Sequence, residues 1–151
     1  MSSLKEQIQA DLKSAMLARD EFSKVTLSGL KAVILNEEVA KGLREEGLGD
    51  EAIEQLIARE SKKRDEAAKL FEQGGNQASA DKEREEKKLL SKYLPEQLDE
   101  AAVRSVVDRV VAELKPDGMK DMGRVIGAVK AKVGNSADGA LVAQLVKEAL
   151  S

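Results

Sequence analysis

Basic side chains gather in one short stretch of this chain of 151 residues. Between Lys115 and Gly134 there are five basic residues and only two acidic ones. Lysine and arginine donate charge-assisted hydrogen bonds to phosphate oxygens, so the stretch is a candidate phosphate-contacting site. The alternative is that these side chains form only the solvated side of a buried helix. The candidate contact residues are Lys120, Arg124, Lys130 and Lys132.

Helical spacing limits how many of these four side chains act together. Lys120 and Arg124 lie one turn apart and can share a face, whereas Lys130 and Lys132 are about 200° apart around a helix. We therefore expect two or three of the four to act together, helped by backbone N–H groups at the helix start. The carboxylate of Asp121 competes for that site.

A second basic candidate lies in the middle of a predicted helix. Residues 59–66 include no apolar side chain, and the first half of the next predicted helix, residues 81–88, is equally polar. One interpretation is a solvated antiparallel arm of two helices, joined by surface ion pairs that each contribute little. The other is a surface that faces nucleic acid. Its candidate residues are Lys62, Lys63 and Arg64.

The residue types that are missing exclude most catalytic chemistry. The chain has no histidine and no cysteine, which excludes a Cys/His zinc site, a thiol nucleophile and a Ser-His-Asp triad. The glycine pairs near Gly47 and Gly74 lack the spacing of a phosphate-binding loop. We therefore expect no catalytic residue, no metal and no cofactor, and no enzyme that acts alone.

Composition indicates a soluble, helix-rich protein. Apolar residues make up 42% and charged residues 35%, with two prolines and a net charge of −3. This balance argues against disorder and against a strongly basic nucleic-acid binder. No apolar run approaches the roughly 20 residues that span a bilayer, and the N-terminus lacks a secretory signal pattern. The absence of cysteine suits a reducing compartment, so we expect a cytoplasmic protein without membrane contact.

The pattern predicts an all-α protein with two domains. Pro95 lacks a backbone N–H and disfavours helix at Leu94, so a helix should stop there. We expect about four helices in residues 1–94 and three short helices, rich in valine and leucine, in residues 95–151. The glycine-rich stretch from Gly42 to Gly49 should be an exposed loop.

Local signals predict where the helices begin and which side chains they bury. The residues expected to cap a helix start are Ser3, Asp50, Asp99 and Asp121, and Ser79 is expected to open the fourth helix. Apolar residues three or four apart predict the core of the first domain: Leu4, Ile8, Leu12, Ala15, Met16, Phe22, Val25, Leu30, Val33, Ile34, Val39, Ile53, Leu56, Ile57, Leu70 and Phe71. Small residues every four positions predict a ridge on which another helix packs closely: Gly123, Gly127 and Ala131.

Several of these stretches together resemble the YqeY family. In the second half they are Tyr93-Leu-Pro-Glu-Gln-Leu98, Met122-Gly-Arg-Val-Ile-Gly127 and Ala137-Asp-Gly-Ala-Leu-Val142. These segments are also similar to the C-terminal tail domain of GatB, a subunit of the tRNA-dependent amidotransferase. The first half matches the same type through Leu12-Lys-Ser-Ala-Met16 and Lys63-Arg-Asp-Glu66.

The resemblance implies a helical N-terminal domain followed by a small three-helix tail domain. In the amidotransferase the comparable tail contacts tRNA, remote from the catalytic subunit, and the module also occurs on glutaminyl-tRNA synthetases. A carbon–nitrogen ligase activity that uses glutamine as amido donor belongs to other parts of that complex. The implied partners are tRNA and an aminoacyl-tRNA synthetase or amidotransferase component.

The chain departs from the family pattern at two positions that affect RNA binding. Gly134-Asn135-Ser136 stands where the family usually has Lys-Gly-Arg or Lys-Gly-Lys, and Ser28 stands where arginine is common. These losses weaken the transfer of tRNA binding to the last turn between helices. Lys120, Arg124, Lys130 and Lys132 remain as the candidate contacts.

We therefore expect a non-catalytic accessory module associated with tRNA or another RNA. The main alternative is a protein–protein adaptor that docks partner helices on the ridge or on the polar arm. A third alternative is amidotransferase-like activity that appears only within a complex.

Overall fold

Helices are the regular secondary structure of the part of the chain that the structure describes. The structure, a computed structural model, describes residues 3–151, and no strand occurs in that range. This confirms the all-α prediction. Short 3-10 turns cover Met119–Asp121 and Gly134–Ser136. The α-helices are α1 Leu4–Leu17, α2 Glu21–Ala40, α3 Asp50–Gln73, α4 Gln77–Ser91, α5 Glu100–Leu114, α6 Met122–Val133 and α7 Gly139–Leu150.

The chain divides into two compact units, which meet in sequence between Leu94 and Pro95. On the N-terminal side of this junction, α4 ends at Ser91 and the Tyr93 hydroxyl donates a hydrogen bond to the Asp11 carboxylate on α1. Burial raises the pKa of Tyr93 above its ordinary value, and this hydrogen bond adds to the shift. That the two units are separate domains stays a prediction.

The N-terminal unit packs α1, α2 and α3 around one aliphatic core, which the end of α4 completes. Seven of the sixteen predicted stripe residues are buried members of this core, and for these the helical periodicity is confirmed. Its buried members are Leu4, Ile8, Leu30, Ile34, Leu48, Ile53, Leu56, Ile57 and Leu90.

Five residues that were predicted to be buried lie at the surface instead. A helix packed on one side buries one stripe, and these side chains lie outside that stripe or beyond the reach of a third helix. The prediction of their burial was therefore wrong. The residues are Met16, Val25, Val39, Leu70 and Phe71.

A buried carboxylate holds the connection between α2 and α3. The Glu38 side chain is only 1% exposed. Its Oε2 accepts hydrogen bonds from Lys5 Nζ at 2.8 Å and from the backbone N–H of Leu48 at 2.9 Å. Gly47, with a φ of +77°, lets the backbone pass close to this carboxylate. The loop from Gly42 to Gly49 is thus only partly exposed, because Leu48 enters the core.

The same contacts favour the ionised form of Glu38. The hydrogen bond from Lys5 lowers the pKa of Glu38 below its ordinary value, although burial acts in the opposite direction. Since the pKa of Glu38 is lower in the folded state, the ionised carboxylate stabilises the fold at any pH above the ordinary pKa of glutamate. This stabilisation is lost as the pH falls through the lowered pKa.

Replacing this carboxylate should destabilise the N-terminal unit. We expect Glu38→Ala to lower the free energy of unfolding by about 3 kcal/mol at pH 7, because it leaves the Leu48 N–H buried without a partner. Glu38→Gln should cost less, and its difference from wild type should shrink at acid pH. Urea unfolding at pH 7 and pH 3.5 measures both, with Glu45→Ala on the exposed loop as control. A pH-independent difference for Glu38→Gln would contradict the role of the charge.

Two of the predicted helix caps are confirmed. In each, the side chain accepts a hydrogen bond from an N–H group in the first turn of its own helix. The Ser3 hydroxyl accepts a hydrogen bond from the Glu6 N–H at 3.2 Å, and the Asp99 carboxylate accepts one from Ala102 at 2.8 Å. Both side chains satisfy N–H groups that have no partner within the helix.

The predicted cap of α3 and the predicted start of α4 are wrong, for different reasons. Gly49 is the N-cap of α3, and the Asp50 carboxylate instead accepts a hydrogen bond from the Leu4 N–H of α1 at 2.9 Å. Helix α4 begins two residues before Ser79, and its N-cap Asn76 accepts a hydrogen bond from the Ser79 N–H at 3.1 Å. The Asp50 carboxylate is thus taken up by the neighbouring helix α1, and Asn76 caps α4 in place of Ser79.

Helices α3 and α4 form an antiparallel arm, as the polar pattern predicts. Ion pairs join them along its length: Arg64 Nε lies 3.1 Å from Glu86 Oε2, and Lys87 Nζ lies 2.9 Å from Asp65 Oδ2. Near the turn, Arg84 pairs with Glu72. Small side chains fill the seam, where Ala68 and Ala80 are fully buried.

Ser61 is a buried polar residue in the arm with no partner for its hydroxyl. It lies two turns before Ala68 on the same face of α3, and its Oγ has no hydrogen-bond partner among the described residues. A buried hydroxyl without a partner loses the hydrogen bond it makes to water in the unfolded chain. Ser61 therefore opposes the packing of the arm.

Removing this hydroxyl should stabilise the protein. We expect Ser61→Ala to raise the free energy of unfolding by about 1 kcal/mol, because the variant no longer buries an unsatisfied hydroxyl. Ser28→Ala, at an exposed position on α2, is the control. It measures the contribution of the higher helix propensity of alanine alone. Thermal and urea unfolding of both variants measure the difference. A Ser61→Ala protein less stable than wild type would show that the hydroxyl has a partner.

The C-terminal unit packs α5, α6 and α7 around a second core made mainly of valine. This core agrees with the three valine- and leucine-rich helices predicted for residues 95–151. The segment before α5 belongs to this unit, because the Leu98 N–H donates to the Ser136 carbonyl at 2.8 Å. The buried residues are Val103, Val107, Val110, Val125, Val129, Val133, Val142, Leu145 and Val146.

Candidate nucleic-acid interface

Helix α6 and the turn before it position the four basic candidates. Lys120 lies on the 3-10 turn, and the other three lie on α6. The helix buries Val125, Val129 and Val133 and turns its opposite side to solvent. The same apolar spacing that anchors α6 therefore also sets where its basic residues emerge.

The solvent side of α6 is a flat ridge of small residues. Gly123, Gly127 and Ala131 are all exposed, and a Cβ at either glycine would meet no atom within 4 Å. The close helix packing predicted for this ridge does not occur within residues 3–151. Over about 12 Å no long side chain stands on the ridge, so a backbone or a phosphate chain can approach the helix closely.

Arg124 and Lys130 flank this ridge, whereas Lys120 and Lys132 lie further from it and have acidic neighbours. Lys120 Nζ lies 3.6 Å from Asp117 Oδ2, and Lys132 Nζ lies 3.3 Å from Glu113 Oε2. The side chains of both pairs are largely exposed to solvent. Exposed ion pairs of this kind contribute little to stability, so a phosphate can replace the carboxylate at small cost. The sequence pattern gave no signal for the pairing of Lys132 with Glu113 on α5.

Asp121 lies at the centre of the cluster and is the N-cap residue of α6, at the predicted helix start. Its carboxylate accepts a hydrogen bond from the Asp117 N–H at 2.8 Å, and makes no capping bond to α6. This bond lowers the pKa of Asp121, and the charges of Arg124 and Lys120 add to the effect. Arg124 Nη2 lies 3.5 Å from the carboxylate. The ionised group therefore offsets the positive charge where α6 begins.

Lys130 and Lys132 point in different directions, as the spacing predicts. Lys132 reaches Glu113 on α5, whereas Lys130 lies against Gly139, the first residue of α7. The Lys130 ammonium is 3.5 Å from where a Cβ of Gly139 would stand. Its charge thus adds to the positive end of the α7 dipole, while the Asp138 cap opposes it.

The basic residues of the arm are not equivalent. Arg64 donates to Glu86 and to the Glu60 carbonyl, so it is part of the ion pairs that join α3 to α4. Lys63 Nζ lies 3.7 Å from the Glu60 carboxylate. Lys62 is exposed, and in the described part of the chain no carboxylate lies within 4 Å of it. Lys62 and Lys63 are therefore exposed on the arm, whereas Arg64 is partly buried among its partners.

The site includes no group of side chains suited to a metal. Among residues 3–151, no three acidic side chains come together as a metal site would require. None of the helices described there is long and apolar enough to cross a membrane.

The features described above can be compared with known protein families. They are an all-helical fold, a tail of three short helices and basic residues on one of these helices. The family model described as Yqey-like protein matches residues 5–150, which is nearly the whole chain. The protein therefore belongs to the YqeY family. No curated protein is similar enough in sequence to count as a match.

The position of Asp121 leads to a test of the interface. If phosphates contact Lys120 and Arg124, Asp121→Asn should raise the affinity for tRNA by roughly threefold at low salt, because one opposing charge is removed. The asparagine oxygen can still accept from the Asp117 N–H. Fluorescence anisotropy with labelled tRNA measures the affinity, and Asp108→Asn on the exposed side of α5 is the control. An equal gain in both variants would indicate only a change in net charge.

Proposed function

We propose that this protein is a non-catalytic accessory module that binds tRNA in the cytosol through its C-terminal unit. The observation that carries the proposal is the exposed ridge of α6, with Arg124 and Lys130 on either side of it and Lys120 on the turn before the helix. Lys132, which reaches toward α5, is the fourth candidate contact. A flat surface without long side chains lets a polyanion approach, and the basic border supplies contacts for its phosphates.

The charge of the whole chain supports a local contact and not a broad electrostatic attraction. The net charge is −3, so long-range steering of RNA toward the protein is weak. Binding then depends on a few phosphate contacts, each of which releases counterions. We expect affinity that is modest at physiological salt and falls steeply as salt rises. Such behaviour suits a module that assists a second RNA-binding protein.

We also propose that the chemistry belongs to that second protein. The chain has no histidine or cysteine, and its many carboxylates and lysines are mostly surface groups or members of ion pairs. An aminoacyl-tRNA synthetase or an amidotransferase component is the partner class that the family resemblance favours. Any carbon–nitrogen ligase activity with glutamine as donor would then appear only in the complex.

The adaptor alternative also rests on a specific observation. An exposed ridge of Gly123, Gly127 and Ala131 suits the close approach of a partner helix as well as that of RNA. The ridge carries no large apolar side chain, however, so docking a helix there would bury little apolar surface. The basic border therefore favours the polyanion.

The salt dependence of tRNA binding tests the proposal. The paired variant Lys120→Ala with Arg124→Ala should reduce the slope of log affinity against log salt by about two units, since each lost phosphate contact reduces it by about one. The matched control on the arm is Lys62→Ala with Lys63→Ala. It removes the same number of charges from the same chain.

Two outcomes would contradict the proposal. If only the arm variant weakens tRNA binding, the contact lies on α3 and not on α6. If neither variant matters and wild type binds without salt dependence, phosphate contact is not the basis of binding and the adaptor alternative is favoured.

A further inference from the structure

Helix α2 has a long exposed face that carries no charge. It spans 15 residues, or about 21 Å along the helix. Three large apolar side chains stand on it, with exposed fractions of 64% for Val25, 45% for Leu35 and 57% for Val39. Charged residues make up 35% of the chain, so an uncharged exposed face of this length is an exception. The α2 face consists of Val25, Ser28, Gly29, Ala32, Leu35, Asn36 and Val39.

The centre of the α2 face lacks a side chain at Gly29, although no contact within the described chain requires a glycine there. Gly29 lies within a 20-residue helix, where glycine is destabilising relative to alanine. A Cβ at Gly29 would meet no atom within 4 Å, so nothing in the described chain requires its absence. With Ala32 one turn further on, Gly29 leaves a low point between Val25 and Leu35. This shape permits the close approach of a second helix.

A groove continues the α2 face toward α1. It has a volume of about 450 Å³ and includes Ser28, Ala32 and Leu35 of the face. Its other apolar lining comes from Ile8, Leu12 and Ile34. An occupant of the face therefore finds further apolar surface on one side.

The borders of the α2 face carry basic groups. On the α1 side Lys31 lines the groove, and no carboxylate of the described residues lies within 4 Å of it. On the α3 side a second depression joins Asn36 of the face to Arg59 and Lys63. Both flanks therefore offer positive charge to whatever covers the apolar stripe.

The acidic groups near these borders already have partners. Glu38 is buried against Lys5 and Leu48, and Glu37 pairs with Lys41 at 3.1 Å. The Glu60 carboxylate lies 3.5 Å from Arg64 Nη1. The charge left for an occupant is therefore positive.

We propose that the α2 face binds an amphipathic α-helix of a partner protein, with an apolar stripe and acidic residues on its flanks. Spacings of three and four residues along the face match the seam between two packed helices. A second copy of this chain fits poorly, because an antiparallel pair centred on Ala32 would bring two Lys31 side chains to the same border. RNA would leave Val25, Leu35 and Val39 without an apolar partner. This proposal does not depend on tRNA binding by α6.

A pair of synthetic helical peptides tests the charge and the shape of the α2 face. The first has leucine every three or four residues with glutamate on both flanks, and the second has lysine at every glutamate position. We expect full-length protein to bind the acidic peptide at least about tenfold more tightly by fluorescence anisotropy.

Two variants of the face should weaken this binding while the protein stays folded. Ala32→Glu, at an exposed helix position, should lower the affinity for the acidic peptide by about tenfold or more. Gly29→Ala should raise the melting temperature and still weaken binding, which a purely structural role would not produce. Leu70→Glu, at an exposed apolar position on the arm, is the matched control. It should leave the affinities for the acidic and the basic peptide unchanged. Circular dichroism checks the fold of each variant.

Several results would overturn the proposal. One is equal binding of the two peptides, or of Ala32→Glu and wild type. Another is a concentration-dependent dimer that Ala32→Glu abolishes, since the occupant would then be a second copy. A third is loss of tRNA binding in Ala32→Glu with tRNA displacing the acidic peptide, since nucleic acid would then occupy the face.

Discussion

Each helix of this protein can bury only one apolar stripe, and the rest of the structure follows from that limit. Two small cores result, an aliphatic one that includes Ile53 and Ile57 and a valine-rich one around Val107 and Val129. Where no third helix is available, other interactions join the elements. Ion pairs such as Arg64 with Glu86 join the arm, and buried Glu38 fastens the loop before α3. The faces left over are the ones available for function.

The two exposed surfaces, the ridge of α6 and the α2 face, differ in apolar content, and this difference favours a different partner for each. The ridge of α6 has small residues only, so an occupant gains from its basic border and gains little from apolar contact. The α2 face also has basic borders, but Val25, Leu35 and Val39 stand on it and lose water when covered. A phosphate chain suits the first surface, and an apolar helix with acidic flanks suits the second.

Local sequence patterns predicted the helices. Most of the features that these patterns did not predict depend on contacts between residues far apart in sequence. Ser3 and Asp99 cap their own helices, which neighbouring residues alone determine. Asp50 instead serves the first N–H of α1, a contact across 46 residues that no local pattern contains. For the same reason, periodicity found the stripes of α2 but did not show that Val25 and Val39 lack a partner. At the candidate interface it identified the basic residues, and the pairing of Lys132 with Glu113 required the packed structure.

The most direct test of tRNA binding through the C-terminal unit is an amide NMR titration of the full-length protein with tRNA at two salt concentrations. The account predicts that the largest changes occur at Gly123, Gly127 and Lys130 and at the start of α7, and that high salt reverses them. Signals from the N-terminal core should change little. Changes confined to residues 3–94, or changes that persist at high salt, would contradict the account.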